Sequence, residues 1–224
     1  MDRRVSVVQA GSCGSPSAMT NMTEIDAYNV SDFRAGATES LFSSVSRIVI
    51  QEAERMLQAV FGDKGVPPNL ITIHVRWGDK TFEWPRILNP ISEFIAAVEK
   101  IVEEKKLNSV HILLCTEDPI AEDEFRRAAH PSWTIYVDNF YTQYLPHRIN
   151  RTLVFNGPSY ITKDLNGKPG LWALGSLLVA MEANYFVMTT KSNWARLMNE
   201  LRKNVVDPRC GNCTYMIDLQ YGEC

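Results

Sequence analysis

Side chains able to do chemistry crowd most closely at His74-Val75-Arg76-Trp77-Gly78-Asp79-Lys80, with Glu83 three positions further on. The cluster follows Leu-Ile-Thr-Ile-His-Val at 70–75, a β-branched run that suits a buried strand. His74 and Arg76 stand two apart at the end of that strand and therefore point to one face. Arg76 offers a planar fork suited to phosphate, and Lys80 adds a second positive charge. Asp79 and Glu83 are carboxylates beside these cations, suited either to general-base chemistry or to orienting them. The same spacing also fits a salt-bridged loop, Arg76 with Asp79 and Lys80 with Glu83.

Two further polar clusters follow apolar runs. In Cys115-Thr116-Glu117-Asp118-Pro119, Asp118 is placed to cap a helix opened by Pro119, and Thr116 and Glu117 are within reach of a ligand. In Thr189-Thr190-Lys191-Ser192-Asn193, hydroxyls and free amides open a helix, an arrangement that receives anions and that Lys191 strengthens. Ser192 serves equally well as a simple cap. The chain carries no Gly-x-Gly-x-x-Gly run, no phosphate-binding Gly-x-x-x-x-Gly-Lys run and no Gly-x-Ser-x-Gly elbow.

The elements that must hold these clusters are legible from periodicity. Residues 1–37 read as a weakly structured segment with one short strand near Val5–Val8, and 38–224 as a single domain. Apolar residues from Leu41 to Phe61 recur at three- and four-residue steps and predict one long amphipathic helix from about Thr38, ended by Gly62, Gly65 and Pro67. After the strand at 70–75, Asn89 is placed to cap a helix with Pro90 at its first position. Val110–Cys115 is a second strand, 119 to about 129 a helix, and Trp133–Val137 a third strand. Gly170–Ala183 is apolar nearly all round and predicts a buried helix. Tyr185–Met188 is a fourth strand, Asn193 to about Lys203 a helix, and Tyr215–Leu219 a last strand. This alternation predicts an α/β fold: an open parallel Rossmann-like sheet flanked by helices, with ligand in the crevice beyond the strands' carboxyl ends.

Composition excludes several classes. With 224 residues, 45% hydrophobic, 22% charged and a net charge of −3, the chain is an ordinary globular one, with no footprint for nucleic acid. Its longest apolar run, Leu171–Met181, is too short for a membrane span, and the N-terminus lacks the apolar stretch of a signal peptide. Of five cysteines, Cys210 and Cys213 form a Cys-x-x-Cys pair. One such pair without a nearby histidine gives little support for zinc; a disulfide, local or to Cys224, fits better in an oxidising compartment. Glycosylation sequons stand at Asn21, Asn29, Asn150 and Asn212.

The order of these clusters resembles the fucosyltransferases of the α1,6 type and, more distantly, the protein O-fucosyltransferases. The resemblance is carried by His74-Val75-Arg76-x-x-Asp79-Lys80 with Glu83, by Thr116-Glu117-Asp118-Pro119, by Ala183-Asn184-Tyr185-Phe186-Val187 through Thr189, Ser192 and Arg196, and by Met216–Gly222. It spans roughly residues 66–222. It implies the nucleotide-sugar-binding half of a GT-B glycosyltransferase and an inverting, metal-independent transfer of L-fucose from GDP-fucose to a glycan or glycoprotein hydroxyl in the secretory pathway, in the Golgi lumen. On that resemblance His74 and Arg76 contact the diphosphate, with Thr116, Glu117, Asp118, Thr190 and Asn193 around the donor. Lys80 stabilises the leaving group, Glu83 is the general base with Asp79 beside it, and Ser192 with its helix holds the β-phosphate. Trp77 stands where many members have a second arginine, and Ser176 falls near the position of the acidic residue that reads guanine. Only about 65 residues precede the donor cluster, fewer than an acceptor-side domain needs. These departures leave a second expectation, a homologue that binds nucleotide sugar or glycan without transfer.

Overall fold

A computed structural model of the chain describes residues 4–6, 21–77, 88–138 and 167–219. The strands are β1 (Arg4–Ser6), β2 (Asn21–Thr23), β3 (Leu70–Val75), β4 (His111–Thr116), β5 (Thr134–Asp138), β6 (Tyr185–Met188) and β7 (Tyr215–Asp218). The helices are α1 (Glu24–Ser43), α2 (Arg47–Phe61), α3 (Ile91–Lys105), α4 (Pro119–Ala128), α5 (Lys168–Ala180), α6 (Asn193–Leu201) and α7 (Asp207–Cys210), with a π-helical turn at Arg202–Val206 between the last two. Asp79, Lys80 and Glu83 lie outside the described residues, as do Asn150, Cys13 and Cys224.

The fold class is α/β: β3–β7 form a five-stranded, all-parallel open sheet flanked by helices, in the order β5-β4-β3-β6-β7. β3 is the middle strand and every residue of it is buried, which is why its sequence runs apolar instead of alternating. Its register sets Leu70 against His111 through Val75 against Thr116 on one side, and Ile71–Ile73 against Tyr185–Val187 on the other. After β5 the chain returns to the far side of β3, so the winding reverses between β3 and β6. In sheets of this order the ligand crevice lies at that reversal, beyond the carboxyl ends of the two strands.

The described chain forms two compact units. One comprises Ser46–Met188 with Tyr215–Ile217; the other comprises Met1–Val45, Thr189–Thr214 and Asp218–Cys224. In the first, α2 packs on α5 and α3 packs on α4 and β6. Thr72 donates its hydroxyl to the carbonyl of Ala180 at 2.9 Å, so one face of β3 meets the end of α5. A Cβ on Gly175 would come within 2.8 Å of Met56 Sδ, so the absence of a side chain there sets how closely α5 approaches α2. In the second unit, α1 packs on α6 and on the π-helical turn.

Several boundaries differ from those the sequence predicts. The long helix from Thr38 is two helices, broken where Ser46 is extended at φ −62° and ψ 145°. The first of them, α1, begins at Glu24 inside the segment expected to be weakly structured. Its apolar residues share no helical face, so periodicity does not reveal it. Asn89 is not a cap: Pro90 takes the N-cap position of α3, and the Asn89 amide reaches Glu93 at 2.7 Å instead. Asp118 is the cap of α4 as its spacing predicts, accepting from the Ile120 amide at 2.9 Å. Ser192 holds the N-cap position of α6 through its backbone, but its side chain makes no capping bond. The helix predicted over Gly170–Ala183 is shifted to Lys168–Ala180, and its Leu174 is exposed. The last predicted helix widens after Leu201 into the π-helical turn at Arg202–Val206. No described helix is long and apolar enough to cross a membrane.

Candidate functional site

The carboxyl edge of the sheet is built by three residues from β3 and its exit. His74 is buried, and its Nδ1 has no hydrogen-bond partner among the described residues. Burial, with a smaller push from the Arg76 charge, lowers its pKa from 6.5 to about 4, so the ring is neutral at pH 7. Arg76, two residues on, donates from Nη1 to Glu117 Oε1 in an ion pair, and more distantly to the Trp77 carbonyl at 3.5 Å. Trp77 has a structural job: its indole N–H donates to the Asn89 carbonyl at 3.1 Å. That bond ties together the chain on either side of residues 78–87, the stretch that carries Asp79, Lys80 and Glu83.

Beyond β4, Thr116 and Asp118 serve the turn. The Thr116 hydroxyl accepts from the Asp118 amide at 3.2 Å, and Asp118 caps α4. Glu117 is the member of that cluster turned to Arg76. Ser176 is half-buried on α5. A buried imidazole with an unsatisfied nitrogen at a switch-point crevice is the kind of polar group a ligand completes.

Thr190, Ser192 and Asn193 belong to the other unit. The Thr190 amide donates to Asp218 Oδ1 at 2.9 Å, and its hydroxyl bonds the other oxygen of the same carboxylate. Asn193 accepts from Arg196. Ser192 is buried, as is Thr189, whose Oγ1 has no partner among the described residues. Burial lowers the pKa of Lys191 from its usual value. Spacing gives Asp218 no role, because its partner lies 28 positions upstream.

Cys210 and Cys213 are joined by a disulfide. Their sulfurs and Asp207 lie within 4.8 Å of one another, a spacing that suits a metal. The Asp207 oxygens are already engaged, Oδ2 by Arg202 at 2.9 Å and Oδ1 by Thr214 through its amide at 3.1 Å and hydroxyl at 2.7 Å. An adjacent guanidinium and oxidised sulfurs make this set a structural brace for the entry to β7. Cys115 is buried, its thiol pushed well up by burial and then by Asp138, which pairs with it in register; it is no nucleophile.

No protein-family model matches this chain, and no curated protein is significantly similar to it.

Proposed function

We propose that the chain is the donor-binding part of a fucosyltransferase-like glycosyltransferase, working in the secretory pathway. The reaction is metal-independent and inverting: the bond between fucose C1 and the GDP oxygen breaks, GDP departs, and an acceptor hydroxyl oxygen bonds to C1 while its proton passes to Glu83. The observation that carries the reading is the combination at one crevice. Arg76, paired with Glu117, follows the strand at the winding reversal, two residues after buried His74, whose Nδ1 has no partner among the described residues. In this reading the charges of Arg76 and Lys80 neutralise the diphosphate, and His74 serves it or the base as a neutral hydrogen-bonding group, not as a cation. The disulfide at Cys210–Cys213 and the four sequons fit an oxidising, glycosylating compartment. The Arg76–Glu117 pair favours a second reading, nucleotide-sugar or glycan binding without transfer, because it leaves the arginine's charge balanced in place.

A thermal-shift titration against GDP, GDP-fucose, UDP, ADP and CMP tests the donor site. Ligand at 100 times its Kd stabilises by about 2.7 kcal/mol, or about 5–10 °C for a chain of this size. The expected result is a shift with GDP and GDP-fucose that is lost in Arg76→Ala. A shift with a different nucleotide keeps a nucleotide-sugar enzyme and discards fucose; no shift with any of them overturns the proposal. Transfer of fucose to glycoprotein acceptors, abolished in Glu83→Gln with GDP binding retained, separates the enzyme from the binding homologue.

A further inference from the structure

We infer that Glu117 is the resident counter-anion of Arg76, holding the guanidinium until an anionic ligand takes its place, so that binding at this edge is an exchange of anions. The inference rests on the donor-site reading above and concerns the regulation of that site. It begins with register. Val75 and Thr116 are the last paired residues of β3 and β4, so Arg76 and Glu117 leave the ladder directly opposite one another. Their ion pair is therefore set by the sheet and not by a chance meeting of long side chains on the surface.

The pair stands at the carboxyl edge of β3, the strand bordering the winding reversal, where sheets of this order receive ligands. Its side chains are 25% and 34% exposed, open enough for solvent and ligand to reach. Ion pairs this accessible are weakly held and exchange readily for a better partner. A phosphate is such a partner, because it accepts from the guanidinium fork with greater charge and more oxygens. His74 does not offset Glu117, since its buried ring carries no charge at neutral pH. When a diphosphate arrives, the hydrogen bond from Arg76 Nη1 to Glu117 Oε1 breaks, one to a phosphate oxygen forms, and the carboxylate turns to water. No covalent bond changes.

The sign of one substitution tests this. Inorganic diphosphate and GDP are titrated calorimetrically into the whole chain and into Glu117→Gln, Arg76→Ala and the double variant, each checked for an unchanged melting profile. Glu117→Gln keeps the shape and removes the charge. It is expected to bind diphosphate about tenfold more tightly, the scale of removing one like charge a few ångström from a bound anion. Arg76→Ala is expected to lose binding, and Glu117→Gln to restore none of it in the double variant. Unchanged or weaker binding by Glu117→Gln, with GDP still bound by the unaltered chain, makes Glu117 an orienting group and overturns the inference while the donor-site reading stands. Tighter diphosphate binding with no preference for GDP over other nucleotides upholds the inference and removes the donor-site reading. Absence of binding by all four proteins overturns both.

Discussion

At the scale of single residues, His74 ties stability to pH. In the unfolded chain its imidazole titrates near 6.5, whereas in the fold it holds off protonation until about 4. Between those values the unfolded state binds more protons, so stability rises with pH there. The contribution is complete above about pH 6.5, is lost as the pH falls towards 4, and amounts to about 3 kcal/mol over the window. Urea midpoints measured from pH 7.5 to 4 should therefore fall, and the slope should flatten in His74→Gln; an equal slope in both proteins rules out His74 as its source. Such partnerships mark the limit of what linear spacing reveals. Spacing offers Arg76 its chain neighbour Asp79, which lies outside the described residues, and gives no sign of Glu117, the partner the fold brings to it from 41 positions away. Only the β3–β4 register makes that contact, and register follows from the whole pattern of buried side chains. Asp118 was readable because a cap bonds within its own turn.

Elements with a strong helical period or a continuous apolar run were equally readable, and α1, which has neither, was not. α3, α4 and β3–β7 lie close to where apolar spacing and turn residues put them. α1 escaped because no face of it is consistently apolar, and the break before α2 escaped because Ser44, Val45 and Ser46 interrupt neither period. The contact between α2 and α5 shows why propensity alone misleads inside a packed layer. Alanine is the better helix former than glycine by about 1 kcal/mol in an open helix. At Gly175, however, the added methyl meets the sulfur of fully buried Met56 at 2.8 Å and Glu52 Cγ at 3.2 Å. Gly175→Ala is thus expected to destabilise by about 1–2 kcal/mol, seen as a lower urea midpoint at unchanged denaturant slope. A higher midpoint would show that Met56 gives way and that the helices can part without penalty.

On the scale of the molecule, the alternation of strand and helix made the fold class legible, but not the strand order. Nothing in the alternation says that the fourth strand of the parallel sheet returns to the first. That return creates the crevice, and it has a cost in time. Among the described residues, one helix joins β3 and β4, whereas β3 meets β6 only after β4 and β5, and the Thr72–Ala180 bond beside it closes over 108 positions. Long closures form late because their entropy is lost before contacts repay it. Pulse-labelled hydrogen exchange during refolding should protect the amides of β4 before those of β6; simultaneous protection would remove this ordering. The reversal of winding also bears on synthesis. As the chain leaves the ribosome, β3 is paired on one side with β4 while its other side waits for a strand not yet made. During that interval Ile71 and Ile73 border an open, apolar edge, which is a template for pairing with another nascent chain. A product terminated before Tyr185 keeps that edge for good. Early truncation of this protein should therefore yield aggregates in place of a smaller soluble domain, and folding helpers would be needed most at the moment just before the crevice closes.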